Sequence, residues 1–186
     1  MNLESEIKEL YPPTRDLFMK EVYLLIGGNI GDRSFFLREA TRQINTHCGR
    51  LIKSSSIYET DAWGKEDQPA FLNQVLVIQS NLSASSLMSA ILDIEQAMGR
   101  TRMERNGERN IDIDILYYED ETVDLPELKV PHPRIYLRKF ALVPLVELNS
   151  NKVDPVSKKT VRQLLEECPD QLEVRSYIIK DPKKTC

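Results

Sequence analysis

The most constraining feature of the sequence is the alternation of aspartate and isoleucine in the run NIDIDI at residues 110–115. Side chains of a β-strand point alternately to opposite faces, so a period of two predicts a strand with one charged and one apolar face. The isoleucines then face a core, whereas Asp112 and Asp114 point together to the other side. The sequence therefore predicts a sheet that carries two neighbouring carboxylates on one face.

The remaining elements predict how this sheet is completed. The predicted strands are residues 21–26, 51–58, 71–79 and 110–118, and the predicted helices lie between Asp32 and Gly49, between Ser83 and Gly99, and at about residues 139–148 and 160–167. The first six elements have the order β-α-β-β-α-β, which usually forms one four-stranded antiparallel sheet with both helices on one side. We therefore expect an α+β fold with a ferredoxin-like βαββαβ core and extra C-terminal helices.

Composition limits the classes of protein to which the chain can belong. Of its 186 residues, 41% are hydrophobic and 29% are charged, too apolar for a disordered chain and too interrupted for a bilayer span. A formal net charge of −4 argues against a general nucleic-acid coat, which needs a basic surface. The three cysteines form no CxxC pair and no secretion signal precedes them, so we expect free thiols in the cytoplasm. We expect a monomer or a homodimer without nucleic-acid or membrane partners.

An arginine-rich stretch precedes the two aspartates. The arginines are Arg100, Arg102, Arg105 and Arg109. Carboxylates that share a face repel each other unless a cation relieves them, and oxygen ligands without nearby histidine or cysteine favour Mg²⁺. Guanidinium groups beside such an ion indicate a site for a polyphosphate. The alternatives are a solvated polar strand face and a surface loop in which the arginines pair with Glu104 and Glu108.

Two further segments carry candidate binding residues. His132 lies between two prolines and is followed by Arg138 and Phe140, so a stiffened loop presents an imidazole and a guanidinium group. A lone histidine is also often structural. Asn73 follows Phe71 on a predicted strand, and an amide in an aromatic slot can receive a flat heterocycle, although core packing is the alternative for the aromatic rings.

Six blocks of sequence together carry a resemblance to a known family. They are IGGN at residues 26–29, SSIYET at 55–60, DQPAFLN at 67–73, the segment 94–100, RNGERNIDIDIL at 105–116, and VPHP at 130–133 with Arg138, Phe140 and Glu147 beyond it. This ordered set resembles the 6-hydroxymethyl-7,8-dihydropterin pyrophosphokinase family of folate biosynthesis, whose fold has a ferredoxin-like core. The likeness covers residues 22–165. We therefore expect an N-terminal extension at 1–20, a pyrophosphokinase domain at 21–167 and a C-terminal tail at 168–186.

The resemblance implies an activity and a role for each matching residue. The implied reaction transfers a diphosphoryl group from ATP to the hydroxymethyl oxygen of the reduced pterin, giving AMP and the pterin diphosphate. Asp112 and Asp114 would hold two Mg²⁺ ions on the triphosphate and, with Arg100 and Arg109, form the catalytic set. The implied ATP-binding residues are Arg102, Arg109, His132 and Arg138, and the implied pterin-binding residues are Thr60, Phe71, Asn73 and Phe140.

A binding module without catalytic activity is the alternative from another class. An RNA-binding module needs aromatic side chains on the open sheet face and a positive field, whereas this sheet carries Asp112 and Asp114 there. A metabolite-sensing module fits the composition, but it has no need for paired carboxylates beside an arginine-rich loop. The sequence also departs from the family's common pattern at Asp61, Trp63, Asn106 and Glu108. We expect differences in the pterin-facing wall and in the arginine-rich loop.

Overall fold

The fold is seen in a computed structural model that describes residues 19–62, 67–100 and 107–179. Trp63, Arg102, Arg105, Asn106, Cys186 and most of the expected N-terminal extension lie outside the described residues. The helices are α1 (Arg33–His47), α2 (Ala84–Ala97), α3 (Lys139–Asn149) and α4 (Val161–Glu166), with a short 3₁₀ helix at Ile135–Leu137. The strands are β1 (Lys20–Gly28), β2 (Arg50–Ser54), β3 (Ile57–Thr60), β4 (Phe71–Ser80), β5 (Asp112–Tyr118), β6 (Val123–Asp124), β7 (Lys129–Val130) and β8 (Val174–Tyr177).

Among the described residues, the main sheet is antiparallel and has six strands rather than the predicted four. Its order is β5-β1-β4-β3-β8, and β2 also pairs with β4. The strand predicted at 51–58 is divided at Ser55 and Ser56 into β2 and β3. The division is stabilised from outside the strand, because the carboxylate of Glu147 on α3 accepts a hydrogen bond from the backbone N–H of Ser56 at 2.9 Å. The sixth strand, β8, pairs with β3 at the sheet edge and was not predicted.

The sheet separates two apolar cores. Ile111, Ile113 and Ile115 lie in the first core, which contains the apolar faces of α1 and α2. The second core lies on the opposite face of the sheet, where Leu25 packs with apolar residues of α3 and α4. Asp114 pairs directly with Leu25 across β5 and β1, so the aspartates share that second face. The predicted alternation is confirmed, and each buried isoleucine contributes roughly 1.5–3 kcal/mol that a shift of register would remove.

Two of the predicted helix starts are confirmed by their N-caps. The side chain of Asp32 accepts the N–H of Phe35 at the start of α1, and Ser83 accepts the N–H of Ser86 at the start of α2. Helices α3 and α4 also form where helical sequence was predicted. Across the described ranges, none of the helices combines the length and apolar character that crossing a bilayer requires.

Gly28 allows a close approach between the end of β1 and the segment before β5. A Cβ atom at this position would overlap the carbonyl oxygen of Asn110 and would lie 3.2 Å from that of Arg109. We therefore expect Gly28→Ala to lower the free energy of unfolding by about 1–3 kcal/mol, since backbone must move to admit the methyl group. Urea denaturation measures this change, with the exposed Gln96→Ala on α2 as control. Equal midpoints for Gly28→Ala and the natural protein would contradict the predicted overlap.

Candidate active site

A cleft opens on the second face of the sheet, at the N-terminal end of α3. Gly27 on β1 pairs with Asn73 of β4 on one side and Asp112 of β5 on the other, so an amide and a carboxylate flank a position that has no side chain. The lining residues are Leu25, Gly27, Thr60, Asp61, Gln68, Phe71, Asn73, Arg109, Asp112, Asp114, Arg138 and Phe140. Sequence-predicted phosphate-side and pterin-side residues therefore share one cleft.

Two arginines contact Asp112. Arg100 Nη2 lies 2.7 Å from Asp112 Oδ1, and Arg109 Nε lies 3.0 Å from Oδ2. Burial and the neighbouring charge of Asp114 raise the pKa of Asp112 above its ordinary value, and the arginines oppose that rise. The arginines thus act as counterions for a carboxylate that burial alone would tend to protonate.

Glu95 on α2 holds Arg100 in place and was not predicted to be part of the site. Its buried carboxylate pairs with Arg100 and accepts the N–H of Ile113 at 2.8 Å. Burial raises the pKa of Glu95, and the charge of Arg100 lowers it. The sequence did carry a signal for this role, because Glu95 is the one acidic residue of the motif block 94–100 and lies next to the apolar stripe of α2.

Asp114 lies beside a cation and an imidazole from the loop before α3. Arg138 Nη1 lies 3.1 Å from Asp114 Oδ2, and His132 Nε2 lies 3.9 Å from the same oxygen. Burial, helped by the charge of Arg138, lowers the pKa of His132 to about 4, so the ring is neutral near pH 7. Its Nδ1 lies 3.2 Å from the backbone nitrogen of Arg134, and its Nε2 lies 3.4 Å from Arg138 Nη1. A neutral imidazole therefore stands beside the pair formed by Asp114 and Arg138.

The other side of the cleft combines an amide with two aromatic rings. The Asn73 side chain is buried, and its Nδ2 donates to Thr60 Oγ1 at 3.0 Å, which fixes the orientation of the amide. The guanidinium of Arg109 lies 5.0 Å from the ring centre of Phe71, and that of Arg138 lies 5.6 Å from the ring centre of Phe140. Both rings thus stand beside a cation. A flat polar heterocycle matches these groups in shape and hydrogen bonding.

Asn29, a second residue of the site that was not predicted, joins the two sides. Its Oδ1 accepts the N–H of Arg109 at 2.9 Å, and its own N–H donates to the carbonyl of Arg109 at 2.9 Å. Its Nδ2 donates to the carbonyl of Pro69 at 3.2 Å, shortly before Phe71. The signal in the sequence was an asparagine directly after the glycine pair that ends β1, but its partners are distant in sequence.

The carboxylates fit a metal ion that enters with its ligand. In residues 19–62, 67–100 and 107–179, no group of three or more His, Cys, Asp or Glu residues is arranged to hold a metal ion. Mg²⁺ is commonly bound by one or two carboxylates and completes its octahedral shell with water and substrate phosphates. Asp112 and Asp114 supply this kind of incomplete, oxygen-only set.

Comparisons with known proteins agree with the motifs. The family model for 7,8-dihydro-6-hydroxymethylpterin-pyrophosphokinase (HPPK) matches residues 23–150. A relative from Bacillus subtilis (strain 168), named 2-amino-4-hydroxy-6-hydroxymethyldihydropteridine pyrophosphokinase, is 44% identical over 127 residues, covering 68% of this chain and 76% of the relative. The protein of the same name from Aquifex aeolicus (strain VF5) is 38% identical over 145 residues, covering 78% of this chain and 90% of that one.

A solved structure shares the fold. The crystal structure of a Plasmodium falciparum HPPK-DHPS triple mutant superposes with a TM-score of 0.67 at 16% identity, covering 80% of this chain and 43% of that chain. The chain thus spans less than half the length of this solved protein, and at such low identity the likeness concerns the fold alone. The family model and the curated relatives extend the agreement to sequence, and on that ground the chain belongs to the 7,8-dihydro-6-hydroxymethylpterin pyrophosphokinase family.

Proposed function

We propose that the cleft is the active site at which this chain carries out the reaction of its family. As a family member, the chain transfers a pyrophosphoryl group from ATP to 6-hydroxymethyl-7,8-dihydropterin in folate biosynthesis. One observation supports the location above all others. Two carboxylates, two guanidinium groups and a buried amide line one cleft, and a third guanidinium group, that of Arg100, pairs with Asp112. The charged groups on one side match a polyphosphate, and the amide and aromatic rings on the other side match a flat heterocycle.

On the phosphate side, we propose that Asp112 and Asp114 hold two Mg²⁺ ions together with ATP. When bound, the ions neutralise phosphate charge and lower the pKa of the attacking hydroxyl group. Arg100 and Arg109 lie beside Asp112, and their N–H groups can donate to the oxygens of the transferred group, where charge develops. Arg138 and His132 can bind further nucleotide oxygens, with Arg102 as a further predicted contact outside the described residues.

On the pterin side, we propose that Asn73 and Thr60 recognise the heterocycle and that Phe71 and Phe140 flank its ring. The hydrogen bond between the two polar side chains holds the Asn73 amide before the substrate arrives, so little orientational freedom is lost on binding. No residue of the cleft is assigned as a general base. In-line placement and electrostatic stabilisation would supply most of the rate, as is usual for transfer of phosphoryl groups.

We also propose that β1 to β5 with α1 and α2 form a ferredoxin-like unit within the larger sheet. The antiparallel order β5-β1-β4-β3 supports this proposal, as does the packing of both helices against the first core. A cytoplasmic location and a monomeric or homodimeric state stay predictions.

The deciding experiment measures AMP release from ATP and Mg²⁺ with and without 6-hydroxymethyl-7,8-dihydropterin, followed by mass analysis of the pterin. We expect AMP only when the pterin is present, and a pterin heavier by one diphosphoryl group. Folded protein that releases no pterin-dependent AMP would instead favour the binding module without chemistry.

The proposed metal dependence predicts a metal-dependent gain in thermal stability with a nonhydrolysable ATP analogue. A ligand at a hundred times its Kd stabilises the native state by about 2.7 kcal/mol, which raises the Tm by roughly 5–10 °C for a chain of this size. We expect this shift with Mg²⁺ and little of it with EDTA, as measured by differential scanning fluorimetry. An equal shift in EDTA would show that the nucleotide binds without the metal.

A further inference from the structure

The C-terminal strand β8 contacts the wall of the cleft through Arg175. The guanidinium Nη2 of Arg175 lies 3.0 Å from Oδ1 of Asp61, and Asp61 is one of the residues that line the cleft. Asp61 directly follows Thr60, which orients the buried Asn73 amide. The ion pair therefore joins a strand at the edge of the sheet to the start of the chain segment 61–70.

The same strand also reaches the other end of that segment. The ring of Tyr177 on β8 lies 5.7 Å from the guanidinium of Arg33. Arg33 in turn donates to the carbonyl oxygen of Ala70 at 2.7 Å and pairs with Glu59 at 2.8 Å. Ala70 directly precedes Phe71, which lines the cleft. Both ends of the segment are thus attached to β8, one directly and one through Arg33.

Resting on the proposed function, we infer that Arg175 is a positioning residue for the pterin-facing wall, acting through Asp61. The side chains of Arg175 and Asp61 are 40% and 63% exposed, so their ion pair adds little to global stability. A weak pair can still fix the position of Asp61 at the edge of the binding cleft. Removing it should therefore change pterin binding while the sheet stays folded.

The test measures steady-state kinetics for each substrate separately. We expect Arg175→Ala to raise the KM for the pterin by about 1.5- to 5-fold, the range that an exposed ion pair supports. The kcat and the KM for ATP should stay at their natural values, because Arg175 contacts none of the phosphate-side groups in the part of the chain that the structure describes. Arg175→Lys keeps the charge and should restore most of the pterin affinity.

Two further variants separate positioning from a general loss of structure. Glu173 lies 3.4 Å from the other terminal nitrogen of Arg175 and away from the cleft, so Glu173→Gln is the matched control and should leave the pterin KM unchanged. Asp61→Ala should raise the pterin KM by itself. When Asp61 is already alanine, Arg175→Ala should not raise the pterin KM further, because the two residues act through one contact.

The outcomes distinguish this inference from the proposed function. A natural protein without pterin-dependent AMP release would overturn the proposed function and the inference that rests on it. An active natural protein with an unchanged pterin KM in Arg175→Ala would overturn the inference alone. A variant in which kcat and both KM values worsen together would also overturn it, since that pattern indicates damage to the whole sheet.

Discussion

Replacing Asp114 with alanine is expected to lower kcat by about 10²–10³-fold, while the protein still folds. The change removes one of the two carboxylates proposed to hold the metal-bound nucleotide. It also removes a charge that raises the pKa of Asp112, so the remaining carboxylate ionises more readily. Arg138 loses the carboxylate that lies 3.1 Å from it, and this loss offsets part of the stability gained by removing the repulsion between the two aspartates. We therefore expect a Tm within a few degrees of the natural value.

The matched control for this variant is Asp124→Ala. Asp124 also pairs with a cation, Lys129 at 2.6 Å, but its side chain is 80% exposed and lies on the separate β6-β7 hairpin. Steady-state assays at saturating Mg²⁺, with circular dichroism to confirm folding, should show full activity for the control. A folded Asp114→Ala variant with a near-natural kcat would contradict the proposal that Asp114 binds Mg²⁺.

Replacing Arg109 with alanine is expected to lower kcat by about 100-fold or more while raising the KM for ATP less than tenfold. Arg109 lies against Asp112 at 3.0 Å and over the ring of Phe71 at 5.0 Å, at the boundary between the two sides of the cleft. A guanidinium group at this position can donate hydrogen bonds to the pyrophosphoryl group while it is transferred from ATP to the pterin. Such a contact strengthens in the transition state, so its loss appears mainly in kcat.

Two variants test whether geometry or charge is responsible. Arg109→Lys keeps the charge but loses the planar fork, and we expect it to recover only a small part of kcat. Arg42→Ala removes an exposed arginine from α1, where it pairs with Glu39, and should leave both constants unchanged. If Arg109→Ala raises the KM for ATP and leaves kcat at its natural value, the prediction is wrong. Arg109 would then bind ATP equally well in the ground state and in the transition state.

Structural features that depend on residues close together in the sequence, such as the faces of a strand and the ends of a helix, could be predicted. The faces of β5 followed from alternation, because a shift by one residue would move its isoleucines out of the first core and its aspartates into that core. Local hydrogen-bonding chemistry offered Asp32 or Ser34 as the cap of α1 and Ser83 or Ser85 as the cap of α2, and the structure has Asp32 and Ser83 in these places. The motif blocks also contain ten of the twelve residues that line the cleft. Of the predicted site residues, Arg100 and His132 lie behind the lining, where they contact Asp112 and Arg138.

Features that depend on distant partners could not be predicted. At the break between β2 and β3, the backbone of Ser56 donates to Glu147, which is 91 residues away. Strand β8 is short, and it pairs with the edge of β3 at residues 57–60, more than a hundred residues earlier in the sequence. Asn29 and Glu95 have ordinary local sequence surroundings, and their roles come from contacts with Arg109 and Arg100.

The ion pairs of the cleft have a consequence for how it discriminates between forms of its nucleotide. Three carboxylates (Glu95, Asp112 and Asp114) face three guanidinium groups (Arg100, Arg109 and Arg138), so the cluster is close to electroneutral. Under the proposed function, a nucleotide without its cations would draw the arginines away and leave buried carboxylates unpaired. A nucleotide complexed with cations exchanges partners instead, with carboxylate to metal and guanidinium to phosphate. Under the proposed function, the cluster would therefore bind the anion together with its cations in preference to the free anion.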